Sequence, residues 1–314
     1  MTTGGNTMNI TIETIEKSYG DIKALDGPSF DIPSGSTFGV LGTNGAGKTT
    51  LFRLLVGHDT PDSGTISIGG MNTETAGDAV RHHIGYLPEQ VGFPGLLTGT
   101  EVLELHAQIH QLTPAATRIE KALERVGLTD AGDRTIEGYS NGMRRRLGLA
   151  AAILAEPAVL VLDEPTAGLD PRGVESFHRI IERINQETDA TVVLTSHVLS
   201  EVERVCDRIA ILHEGQLCAV GTVDDLTAAN SAQAIIELSP LNEVTKRNLT
   251  SKLDSQYECS VTDGAIRITC PPTTIPAVLE AIPDGMVRSI DIDKPGLTAV
   301  FHAVIENEQA VNHS

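Results

Sequence analysis

The stretch GTNGAGKTT, from Gly42 to Thr50, combines glycines, a lysine and hydroxyls in a spacing that suits an anionic ligand. Glycines at 42, 45 and 47, separated by Thr43, Asn44 and Ala46, let backbone N–H groups turn inward around a phosphate. A helix starting where the loop ends adds its positive dipole. Lys48 can reach the outer phosphates of a bound chain, and the Thr49 hydroxyl can ligate Mg2+. The spacing G-x-x-x-x-G-K-T runs from Gly42 to Thr49, with the apolar run TFGVLG before it and the helix-like KTTLFRLLVG after it. A loop of this kind between strand and helix is a nucleotide site.

VLVLDE, residues 159–164, supplies complementary chemistry. Asp163 ends an apolar strand and can hold Mg2+ through water. Glu164 follows at the strand's carboxyl end, where ligands meet open α/β sheets, and a carboxylate there can orient and deprotonate an attacking water. A third stretch, YSNGMRRRLG (139–148), places three arginines in a row. On a helix, Arg144, Arg145 and Arg146 fan around the axis and cannot share one face. One is expected to support a phosphate or pair with an acidic neighbour, and the other two to be solvated.

These residues need elements to hold them. AVLVLD (158–163) and TVVLTS (191–196) are β-rich runs of the kind that fill a buried parallel sheet, like TFGVLG. NITIETIEKSYG and GTISIGG alternate with period two and predict a half-exposed antiparallel sheet. Thr98 and Glu101 form a capping box ahead of VLELHAQIH, and Thr113-Pro114 opens a second helix that stops near Gly127. Beyond TVDDLTAAN the pattern changes: QAIIEL, YECSV and AIRITC read as strands, with Asp263-Gly264 as a hairpin turn, and helices follow Pro240 and surround AVLEAI. Two domains result, at 8–225 and 232–314.

Composition narrows the partners. With 42 acidic against 23 basic residues the formal charge is −19, which repels nucleic acid and anionic lipid from the general surface. Lysine accounts for only seven of the basic residues, and such an acid-rich, lysine-poor surface suits a halophilic cytoplasm. Cys206, Cys218, Cys259 and Cys270 form no close pair, so reduced thiols are expected rather than a metal site or disulfides. The sequence contains neither a signal-peptide pattern nor an apolar run long enough to span a bilayer, so any membrane role is expected through a partner.

Taken together, the motifs resemble the nucleotide-binding subunit of an ABC transporter across most of residues 8–225. The residues carrying the resemblance are Tyr19 in KSYGDIKAL, the Gly42–Thr50 loop, IGYLPEQ, YSNGM in place of the LSGGQ signature, VLVLDEPTAGLD ending at Asp170, and TSHVLSEVE with His197. The resemblance implies an α/β fold: a P-loop NTPase core with antiparallel β and helical subdomains, the latter at about 91–150, plus a small C-terminal α+β domain. It further implies that Tyr19 stacks on adenine, that Ser140, Gly142 and Asp170 contact ATP across a head-to-tail dimer with a second copy or a paralogue, and that His197 contacts the γ-phosphate. Glu89 stands where the family has its Q-loop glutamine and Gln90 follows it; either could sense Mg2+ and water, with register favouring Glu89. Hydrolysis would use Glu164, His197 and Lys48, and would drive a separate integral-membrane permease docked on residues 85–115, placing the chain on the cytoplasmic face of the cell membrane.

DIDKPGLTAVFHAVI is similar to the closing segment of ABC-2-type export ATPases, and HHIGYLPEQVGFPGLLTG with TSHVLSEVE looks like the ATPases of nitrous-oxide-reductase maturation, which serve copper or sulfur delivery. The alternative is a soluble ABC ATPase acting on a ribosomal or other macromolecular target; the single P-loop and the short spacing to YSNGM weigh against it. A small-molecule kinase has no need of the signature and His197, and an ATP-sensing module has no need of Glu164.

Overall fold

Apolar runs become buried parallel strands and alternating runs an antiparallel sheet in the computed structural model, which describes residues 8–229, 234–254, 257–262, 265–283, 285–293 and 296–312. In chain order, β1 (Ile10–Tyr19), β2 (Ile22–Asp26), β3 (Phe30–Ile32) and β4 (Thr37–Gly42) lead into α1 (Lys48–Leu55). β5 (Ser63–Ile68), β6 (Met71–Asn72), α2 (Asp78–Arg81) and β7 (Ile84–Leu87) follow. Three helices come next: α3 (Gly99–Ile109), α4 (Ala115–Val126) and α5 (Asn141–Ile153). Then come β8 (Val159–Leu162), α6 (Pro171–Thr188), β9 (Thr191–Thr195), α7 (Leu199–Val205), β10 (Arg208–His213) and β11 (Gln216–Thr222).

The main sheet has the order β11-β10-β4-β9-β8-β7, and its pairings from β10 through β7 are parallel. Every residue of β8 and β9 is buried, as continuous apolar runs between two covering layers require. β1 pairs antiparallel with β2, β3 and β5. Its alternation breaks at Thr14, whose φ of 43° marks a bulge, so Ile12 and Ile15 both face inward although three residues apart. Ile10, Ile12 and Ile15 share one core with Phe38 of β4, Leu51 of α1 and Val193 of β9, which fixes the phosphate loop between the two sheets.

The capping box forms as expected: Glu101 N–H donates to Thr98 Oγ1 (3.1 Å) and Thr98 N–H to Glu101 Oε2 (2.7 Å). α4 starts after Pro114 and ends at Gly127, whose φ of 70° closes it in the left-handed conformation. Among the described residues no helix is long and apolar enough to cross a membrane.

The chain divides into two compact units, one ending at Gly221 and the other beginning at Thr222. The second holds α8 (Val223–Ala229), β12 (Ala234–Pro240), α9 (Glu243–Leu253), β13 (Glu258–Thr262), β14 (Ala265–Cys270), α10 (Ile275–Ala281), β15 (Val287–Asp293) and α11 (Leu297–Asn312). Its sheet, in the order β13-β14-β12-β15, is antiparallel. Asp263-Gly264 lies outside the described residues. β15, not anticipated as a strand, pairs Ile290 with Leu238 and Ile292 with Ile236. Ile236, Leu238, Ile266, Ile268, Leu249 and Val278 form a core of this unit's own.

Candidate active site

Strand order brings distant residues together. Parallel strands end on one edge of their sheet, and there the loops after β4, β9, β8 and β7 converge. They line one cavity of about 420 Å³ with Asn44 to Thr50, Glu89, Asp163, Glu164 and His197, beside Ile22 and Ala24 of β2. Gly47 caps α1 with φ 99°, and a Cβ there would lie 2.5 Å from the Ala24 carbonyl, so only glycine fits this turn. Lys48 Nζ donates to the carbonyls of Gly42 (2.8 Å) and Thr43 (3.1 Å), closing the loop on itself. Burial pulls the Lys48 pKa below its ordinary value, against the opposing pull of the Glu164 and Asp163 charges.

Asp163 is buried, and loss of solvent pushes its carboxyl above the usual carboxylate range despite the Thr195 hydrogen bond. Thr195 Oγ1 donates to Asp163 Oδ1 (2.8 Å) and accepts the Glu164 N–H (2.8 Å), so one hydroxyl sets both acidic residues. Glu164 has φ 46°, in the left-handed region that non-glycine residues seldom occupy. Its Oε2 lies 2.8 Å from His197 Nδ1, joining carboxylate and imidazole at the cavity. The oxygen donors of Thr49, Asp163 and Glu89 suit a hard cation such as Mg2+. Among the described residues no group of three or more His, Cys, Asp or Glu could hold a metal ion alone.

The remaining anticipated residues divide between this cavity and other places. Glu89 lines the cavity, whereas its exposed neighbour Gln90 does not. Tyr19 stands opposite Ile22 in the β1–β2 pairing, but its hydroxyl donates to Asp59 Oδ2 (2.6 Å) and its ring is outside the lining. Ser140, Gly142 and Asp170 gather in a second cavity of about 490 Å³ that shares no lining residue with the first. Ser140 Oγ caps α5 by accepting from Met143 N–H (3.2 Å), and Asp170 caps α6 through Gly173 N–H (2.7 Å).

The three arginines depart from expectation: none is fully solvated. Arg146 donates to Ser176 Oγ (3.0 Å) and Arg144 to the Glu137 carbonyl (3.5 Å), while Arg145 is buried against backbone carbonyls near Asp163 and Glu89. Their fan around the helix forces one inward, because Arg145 shares its stripe with buried Leu149 and Ala152. Tyr139, where the signature usually has leucine, is also buried, and its hydroxyl donates to the Ala131 carbonyl (2.5 Å). Spacing alone neither marks Thr195 nor tells Arg145 apart from its two neighbours. Thr195 is marked instead by a hydroxyl directly after the apolar run Val192–Leu194, Arg145 by its position on an apolar stripe.

Residues 25–167 match the ABC transporter family. Over 229 residues the chain is 43% identical to the daunorubicin resistance ATP-binding protein DrrA3 of Streptomyces coeruleorubidus, covering 72% of each. The chain belongs to the ATP-binding subunits of ABC transporters. Within that family it is of the DrrA/BcrA type, and the similarity runs into the second unit. The daunorubicin/doxorubicin resistance ATP-binding protein DrrA of Streptomyces peucetius is 34% identical over 310 residues, 93% of this chain and 92% of that one. A solved ATP-binding subunit of an ABC transporter superposes with TM-score 0.63 at 29% identity, covering 69% of this chain and 91% of that chain. The ABC subunit is accordingly an ATPase.

Proposed function

We propose that two copies of this ABC subunit, or this chain and a paralogue, close head to tail around ATP and drive a separate membrane permease. The observation carrying this reading is the split site: the phosphate loop and the signature residues occupy different cavities of one chain. Each cavity offers part of the chemistry, and a second chain facing it would supply the rest. Gly142 adds support. A Cβ there would meet nothing closer than Leu169 at 3.7 Å, so packing within the chain does not demand glycine, whereas close approach from outside would.

In the working site, the loop N–H groups and Lys48 would hold the phosphates, and Thr49, Asp163 and Glu89 would hold Mg2+. When held there, Mg2+ would supply charge neutralisation at the phosphate oxygens. Glu164 orients a water for in-line attack and takes its proton. His197, bonded to Glu164, fixes that carboxylate and reaches the terminal phosphate. Tyr19 swings from Asp59 to stack on adenine.

The permease docks on residues 85–115, a segment that leaves Leu96, Leu105 and Ile109 exposed, and this holds the subunit on the cytoplasmic face of the membrane. For the cargo we favour a drug-like small molecule over copper or sulfur delivery, since the similarity to a daunorubicin/doxorubicin resistance protein extends through nearly the whole chain.

The test is Glu164→Gln. It should bind ATP, form a dimer stable to size-exclusion chromatography, and lose turnover by about 100-fold or more. Ordinary turnover in that variant would sink the assignment of the base, and a monomer under saturating ATP would sink the dimer.

A further inference from the structure

Arg145 sits one turn inside α5, the helix that Ser140 caps, and is only 5% exposed. Its guanidinium spends its donors on backbone carbonyls: Nε on Pro165 (2.9 Å), Nη1 on Pro88 (2.8 Å) and Glu89, and Nη2 on Asp163 (2.9 Å) and Glu164. Those carbonyls belong to two turns, one after β7 carrying Glu89 and one after β8 carrying Asp163 and Glu164. A planar fork of five N–H donors can span both turns at once, which a lysine ammonium cannot.

The turn after β8 needs such a clamp. Glu164 holds a left-handed φ of 46°, and a non-glycine residue stays there only where its surroundings over-determine it. Its N–H is held by Thr195 Oγ1, and its carbonyl accepts from Ala167 N–H (3.1 Å) as well as from Arg145. The carboxylate that this backbone aims is the one 2.8 Å from His197 Nδ1.

We propose that Arg145 is a positioning residue for ATP hydrolysis: its guanidinium fork locks the Glu164 backbone in the left-handed turn and ties it to the Glu89 turn, so that α5 and both carboxylates keep one register. This rests on Glu164 being the base. It gives the signature helix a mechanical hold on the chemistry of its own chain's P-loop site, because a shift of α5 moves the carbonyl clamp and with it the Glu164 carboxylate. A cation that served folding alone would leave the chemistry untouched once the fold was intact.

The experiment compares full-length Arg145→Lys and Arg145→Ala with Glu164→Gln, measuring ATP affinity, KM, kcat and melting temperature, with and without millimolar methylguanidinium. Both Arg145 variants should lose about 10- to 100-fold in kcat, the scale of a misplaced reacting group, with ATP affinity and KM within about 3-fold. Methylguanidinium should restore turnover of Arg145→Ala by about 5-fold or more and leave Glu164→Gln inert. Arg145→Lys turning over within about 3-fold of the parent while Glu164→Gln is inert would overturn the positioning role and leave the base in place. Glu164→Gln turning over normally would remove the base, and this proposal with it. Failure of Arg145→Lys to fold, or a loss of ATP affinity in step with kcat and no rescue, would make Arg145 structural and overturn the proposal.

Discussion

A buried carboxylate at the end of β8 costs the nucleotide-free protein stability that a bound cation would return. Burial raises the Asp163 pKa, so the folded chain holds that proton more tightly than the unfolded chain does. The stabilising share of this group is therefore fully present below its unfolded value near 3.8 and disappears as pH rises through the elevated folded pKa. At neutral pH the charged group is a net burden. Asp163→Asn should raise the melting temperature of the nucleotide-free protein at pH 7 by a few degrees, with the gain shrinking as pH approaches 4, while Mg2+-dependent turnover is lost. Thermal melts across pH, with ATPase assays alongside, check both halves. No gain at pH 7 would show that Thr195 and Arg145 offset the burial of the charge.

Helix α5 carries the signature at its start, and its entry is tied down on both sides. Ser140 caps it, and the Tyr139 hydroxyl reaches the Ala131 carbonyl from a buried position. Tyrosine in place of the family's leucine thus adds an anchor to the loop ahead of the helix. Tyr139→Phe removes the donor and strands that carbonyl, so it should cost about 1–3 kcal/mol. Urea denaturation reads this directly; a loss below the error of the fit would mean the carbonyl finds water instead. ATP affinity in the monomer should stay unchanged, since the P-loop cavity has no residue from α5 in its lining.

Across the molecule, the two units have separate hydrophobic cores: one joins the antiparallel sheet, α1 and the parallel sheet, and the other lies within the C-terminal sheet and its helices. Every residue lining the cavity at the Gly42–Thr50 loop belongs to the first. A chain ending at Gly221 should therefore fold and bind ATP within about 3-fold of the full chain, as expected when a domain keeps its own core. Fluorescent-nucleotide titration of the truncated chain tests this, and a chain that aggregates or binds no nucleotide refutes it.

The sequence alone was enough for the parts whose chemistry is contiguous. The Gly42–Thr50 loop carries its glycines, cation and hydroxyls in one contiguous stretch, so local spacing alone marks it as a candidate phosphate site. Asp163 and Glu164 announce themselves by following an apolar run, and the caps at Thr98 and Gly127 are set by bonds within four residues. What the sequence left open depended on direction in space. Glu89 and Gln90 are neighbours, yet only Glu89 reaches the cavity, because successive side chains leave a turn on different sides. Arg145 looked like one of three equivalent charges until the packing of α5 showed which of them faces the strand ends. That Glu89, Glu164 and His197 meet at all follows from the strand order β4-β9-β8-β7, which pairs segments far apart in the chain. Long-range pairing of this kind is selected by the burial of whole faces rather than by any local pattern, so only the tertiary structure decided it.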